Sequence, residues 1–154
     1  MEPKKEIIIP KEKAVFRLDK NGTWHNEHGK FGHAKIIRYF HQSICKDEKG
    51  YHLRQVRDGF VEKVYFPYEE TAIFVFDVKG DENGLVLVLN TGETLALDPA
   101  TLFSKNDSLY VKTGEHLIKF AQDALVKISR FLDEDQDQLC LVLGTGTYPV
   151  PDET

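Results

Sequence analysis

Four histidines fall close together, at positions 25, 28, 33 and 41. Neutral imidazole is a common ligand of zinc, copper and iron, so metal binding is the first chemistry this density raises. The spacing argues against it. Residues 19–33, DKNGTWHNEHGKFGH, read as a β-hairpin, and on a strand His25 and His28 point to opposite faces because they lie an odd number of residues apart. Structural zinc usually adds cysteine thiolates at close spacing, and the nearest, Cys45, is poorly placed as a fourth ligand at helix pitch. A metal-dependent or acid–base enzyme would draw on His25, His28 and His41, with Glu69 or Glu70 beside them, and would require those side chains to converge on one pocket. The favoured reading is structural. Asn21-Gly22 makes the turn, Trp24 anchors the hairpin on a core where its indole N–H needs a partner, and the histidines are mostly passengers on a polar face, with His33 and His41 as packed edges beside the apolar stripe of the following helix.

The remaining chemistry-bearing motifs are weak. No serine sits in a G-x-S-x-G elbow, and GTGTYP lacks the third glycine and the following helix of a dinucleotide site. Cys45 and Cys140 lie in apolar stretches without a C-x-x-C partner, as buried thiols in a reducing compartment do. Adjacent carboxylates such as Glu69 and Glu70 face opposite ways on an extended chain. No catalytic residue and no cofactor are therefore assigned. The aromatics of VYFPY, residues 64–68, surround a proline and occupy both faces of a strand, which leaves some of them for a groove or a contact surface. Trp24, Tyr65, Tyr68 and Glu69 are the candidate binding residues, for a protein partner, a second copy of the chain in a homodimer, or a small-molecule ligand.

These residues must be positioned by a chain of 154 residues, 41% apolar and 29% charged, long enough to bury a core without a disulfide or metal staple. The net charge of −5 argues against a phosphate-binding surface, so no nucleic-acid partner is expected; the local basic bias at Lys4, Lys5, Lys11, Lys13 and Arg17 is diluted by Glu2, Glu6 and Glu12. No run approaches the ~20 apolar residues of a membrane span, and EIIIP is too short for a signal peptide. A cytoplasmic, membrane-free protein is the expectation.

Periodicity predicts a hairpin from residue 14, an amphipathic helix over 33–48 on Ile37, Phe40 and Ile44, and an antiparallel β-meander from Tyr51 to Asp98. A second helix is predicted over 114–135, with Leu117, Ala121, Ala124, Leu125, Ile128 and Leu132 as its apolar stripe, before a closing strand. The fold class is α+β, with β-hairpins packed against two amphipathic helices. The organisation is an N-terminal arm at 1–13, a first α+β lobe at 14–71, a second at 72–150 and a tail at 151–154. The two small lobes resemble each other in their elements.

The run NGTW at 21–24, the helix KIIRYFHQSI at 35–44, KDEKGYHL at 46–53, VEKVYF at 61–66 and YEETAIFV at 68–75 occur in an order that resembles the bacterial domain of unknown function 1285 family. The resemblance spans most of residues 19–98. It implies two small α+β lobes packed together, no established enzyme chemistry and a role in signalling. EETAIF stands where the family pattern has an aspartate and a proline, and HNEHGK lengthens the turn after Trp24. The function expected is thus a non-catalytic binding or interaction module, acting through a groove between lobes or an aromatic sheet surface.

Overall fold

The computed structural model describes residues 5–114 and 116–153, so Glu2 and Lys4 of the basic arm and Thr154 of the tail lie outside the described residues. The chain divides into two compact units, Met1–Ala72 and Ile73–Thr154. The first unit begins with β1 (Lys5–Ile9) and a 3-10 turn at Lys11–Lys13. It continues through β2 (Phe16–Leu18), β3 (Trp24–Asn26), β4 (Gly29–Lys30), α1 (Ala34–Gln42), β5 (Ile44–Asp47), β6 (Gly50–Arg57) and β7 (Phe60–Tyr65). β2, β3 and β4 form a small antiparallel sheet, and a second sheet runs in the order β1-β7-β6-β5. β1 is bonded in parallel to β7 from Lys5 opposite Phe60 to Ile9 opposite Val64, so the basic segment enters the fold as an edge strand.

The opening turn closes as its residues demand. The Asp19 carboxylate accepts the amides of Asn21 and Thr23 at 2.8 and 3.0 Å, an Asx turn, and Gly22 supplies the positive φ of 78°. The first helix is shorter than predicted. It stops at Gln42, and Ile44 and Cys45 belong to β5, opposite Leu53 and His52. Ile44 keeps its place in the core because β5 delivers it to the same interior that a further helical turn would have reached. Asp47 and Gly50 then face each other across the Glu48-Lys49 turn.

The second unit contains β8 (Ile73–Asp81), β9 (Gly84–Leu89), β10 (Thr94–Ala96), a 3-10 turn at Pro99–Thr101, β11 (Leu102–Lys105), β12 (Ser108–Thr113) and β13 (His116–Phe120). After these come α2 (Gln122–Ile128), a 3-10 turn at Ser129–Phe131, β14 (Leu132–Asp135), β15 (Gln138–Leu143) and β16 (Gly146–Pro149). Six strands join in the order β10-β9-β8-β13-β12-β11, and β14-β15-β16 form a separate, wholly antiparallel sheet. The meander predicted from Tyr51 to Asp98 is split between two sheets, β6 and β7 in one and β8, β9 and β10 in the other, and β13 lies parallel to β8 with Ile118 opposite Ile73 and Phe120 opposite Val75.

That pairing corrects the helix predicted over 114–135. Its first part is β13 and its last part is β14, which leaves α2 with seven residues. Leu117, Ala124 and Ile128 satisfy a helical period, yet Ile118, Lys119 and Phe120 are buried together, which one helical face cannot achieve and a strand inside a sheet can. The closing strand is likewise a hairpin of β15 and β16. Consecutive left-handed residues at Asn106-Asp107 and Gln136-Asp137 make the two-residue turns before β12 and β15. Trp24, Leu18, Leu53 and Phe66 form the centre of the first unit's core; Phe74, Leu87, Tyr110, Ile128 and Leu141 are fully buried in the second.

Candidate functional site

The three candidate histidines, His25 and His28 on the opening hairpin and His41 on α1, have different neighbours. β3 starts at Trp24, which is 1% exposed and ringed by Phe16, Phe40 and Phe66 in edge-to-face contact, with centroids 4.9–5.8 Å away. Its indole N–H donates to His41 Nδ1 at 3.2 Å, across from the last turn of α1. Burial pushes the His41 imidazole down to about 4, so at neutral pH it is the uncharged acceptor this bond requires. His25 Nε2 meets Asp19 Oδ2 at 2.7 Å, while His28 is exposed beside Glu27. Burial raises the Asp19 carboxyl, but hydrogen bonds from His25 and the Thr23 and Asn21 amides outweigh it and hold the group low. Among the described residues no group of three or more His, Cys, Asp or Glu side chains could hold a metal ion. Glu69 accepts the Lys20 amide at 3.0 Å. Trp24 and Glu69 thus serve the hairpin and its docking, and Tyr65 and Tyr68 come together elsewhere.

Those two tyrosines line a cavity of about 480 Å³ in the first unit, with Tyr51, Phe66 and Pro67 as further walls and Lys11, Glu12 and Lys49 at its edge. The topology explains the gathering. β6 and β7 pair antiparallel, which places Tyr51 at the start of one strand near Tyr65 and Phe66 at the end of the other. The chain then turns at Pro67, and Tyr68 forms an isolated bridge with Leu18. Tyr68 meets Tyr51 and Phe66 edge-on, with centroids at 5.2 and 5.9 Å. Gly50, at φ +112°, keeps the space open: a Cβ there would come to 3.3 Å from the Tyr68 hydroxyl. Lys11 arrives on the 3-10 turn after β1 and Lys49 on the turn between β5 and β6.

Behind one wall is a charged network. The Tyr65 hydroxyl donates to Asp47 Oδ2 at 2.6 Å, and the same oxygen lies 3.5 Å from Lys63 Nζ, which reaches Glu6 at 3.4 Å. The Tyr65 bond is the main influence holding the Asp47 carboxyl below its ordinary value. Burial, reinforced by the Asp47 charge, pushes the Tyr65 phenol up to about 12. Tyr65 is therefore a protonated donor at neutral pH and does not abstract protons. His52, 2% exposed, packs against the Tyr65 ring with its Nδ1 3.9 Å from Asp47 Oδ2 and without a hydrogen-bond partner. Its burial outweighs the Asp47 charge and lowers its pKa, favouring the neutral ring. This arrangement fixes the position of a cavity wall.

Sequence reasoning named Tyr65, Phe66 and Tyr68 within one aromatic cluster but not Tyr51, Lys11 or Lys49. Tyr51 alternates correctly in YHLRQV, and nothing local shows which strand end it meets. Two other cavities have different linings. One of about 630 Å³ in the second unit has Leu125, Leu132 and Leu139 as its floor and Asp107, Glu134 and Asp152 at its edge. One of about 430 Å³ lies beside Val15, Arg17 and His25.

The architecture is an α+β fold of hairpins and short helices, and it has solved counterparts. A DUF1285 family protein from Silicibacter pomeroyi DSS-3 is similar over 95% of this chain and 83% of its own, with a TM-score of 0.63 at 12% identity. A DUF1285 family protein from Shewanella baltica OS155 is similar over 77% of this chain and 93% of its own, with a TM-score of 0.53 at 15% identity. The resemblance read from the sequence is thus matched by a shared fold. No protein-family model matches the chain, and no curated protein matches it in sequence.

Proposed function

We propose that this chain is a non-catalytic binding module, a divergent relative of the DUF1285 proteins whose fold it shares, and that its site is the tyrosine-walled cavity of the first unit. The observation that supports this most is the meeting of Tyr51, Tyr65, Phe66 and Tyr68 around one cavity of about 480 Å³, a size and lining suited to a small organic ligand. A bacterial, cytoplasmic signalling role fits a protein that would bind without transforming what it binds. Two free thiols, Cys45 and Cys140, suit a reducing setting. Among the described residues no helix is long and apolar enough to cross a membrane.

The test is amide-resolved NMR of the full chain during titration with a set of small aromatic fragments. Binding that shifts resonances of residues 11–12, 49–51 and 65–68 together supports the module. Shifts confined to the second unit, or turnover of any fragment, would overturn it.

A further inference from the structure

We infer that the tyrosine cavity takes a small planar aromatic anion, its ring held among Tyr51, Phe66 and Tyr68 and its carboxylate or phosphate held by Lys11 and Lys49. This rests on the cavity being the binding site and adds the chemical class of the occupant. The charge of the lining is the first argument. Lys11 and Lys49 are exposed and have no ion-pair partner among the described residues, whereas the neighbouring Lys63 is satisfied by Asp47 and Glu6. Glu12 is the one carboxylate of the lining, so the rim carries a net positive charge inside a chain whose total is −5. Two cations left unpaired on an acidic protein, at one edge of one cavity, attract an anion.

The walls set the shape. Edge-to-face packing of Tyr68 against Tyr51 and Phe66 fixes the ring orientations, so the cavity offers rigid aromatic surface at little entropic cost on binding. The hydroxyls are not equivalent. Tyr65 is committed to Asp47 and Tyr51 to Thr71, but Tyr68 has no hydrogen-bond partner among the described residues and is 37% exposed. It is the phenol available to donate to an anionic oxygen. The acidic cavity of the second unit has the opposite rim charge and would repel the same ligand.

The experiment is titration of the full chain with phenyl phosphate, benzoate, benzyl alcohol and benzylamine, followed by amide NMR. Both anions are expected to bind at least about tenfold more tightly than the alcohol, as charge-assisted hydrogen bonds allow, with shifts at residues 11–12, 49–51 and 65–68. Affinity for phenyl phosphate should fall as salt rises. The double variant Lys11→Gln/Lys49→Gln, at two exposed positions, should lose that advantage while still binding benzyl alcohol as before. Equal affinity for anion and alcohol at these residues would overturn the charge preference and leave the cavity as the site. Preference for benzylamine would do the same. Absence of shifts at the cavity with all four probes would overturn both the ligand class and the proposed site.

Discussion

In the first unit's core the Trp24 indole donates a hydrogen bond to His41, an acceptor that must stay neutral. Protonation of Nδ1 would remove the acceptor and place a charge in a site 3% exposed. The folded-state value of about 4 lies below the ordinary 6.5, so between these values the unfolded chain binds a proton that the folded chain refuses. Stability from this group is complete above about pH 6.5 and is lost as pH falls toward 4, by up to about 3 kcal/mol. Urea unfolding at pH 7.5 and 4.5 should show the decline, and His41→Gln, which keeps an acceptor for the indole, should flatten it. Asp19 and Asp47, both held below their ordinary value, extend the acid sensitivity to lower pH. An unchanged pH profile in His41→Gln would remove His41 as its cause.

At the scale of elements, turns and short helices position what the sheets carry. Gly50 closes the β5–β6 hairpin in a left-handed conformation and leaves room for the Tyr68 hydroxyl. Gly50→Ala should cost more than about 1 kcal/mol by thermal unfolding, since the backbone strain adds to the contact. It should also shift the Tyr68 amide and weaken phenyl phosphate binding. α2 is too short to be stable alone and depends on Ala124 and Ile128, both fully buried. Ile128→Ala should destabilise by about 2–5 kcal/mol in urea unfolding, the range for truncating a buried isoleucine. A loss under 1 kcal/mol would mean that the site collapses around the smaller residue.

Over the whole molecule, the distribution of charge and histidine makes two expectations measurable. His25 pairs with Asp19, His41 accepts from the Trp24 indole and His28 is exposed beside Glu27, and among the described residues no group of three or more His, Cys, Asp or Glu side chains could hold a metal ion. Addition of one equivalent of zinc should leave the His41 imidazole resonances unmoved and the melting temperature unchanged; a rise of several degrees would revive the metal reading. With a net charge of −5, the chain should not be retained by duplex DNA at physiological salt in a mobility-shift assay.

Much of this was legible without coordinates wherever the determining contacts are local. The Asn21-Gly22 turn, the burial of Trp24 and its need for an acceptor, and the strand-rich, two-helix composition all follow from neighbouring residues and their backbone preferences. Tertiary structure decided what depends on distant pairing. Residues 116–120 have a helical period, yet they form β13 because β8 and β12 flank them with two ladders of hydrogen bonds. The indole's acceptor was His41, seventeen residues away. Tyr51 joined Tyr65 and Tyr68 only through the register of β6 on β7, and Lys11 joined them only after β1. Sequence determined which residues could turn, pack or donate; only the register of distant strands determined which of them share a cavity.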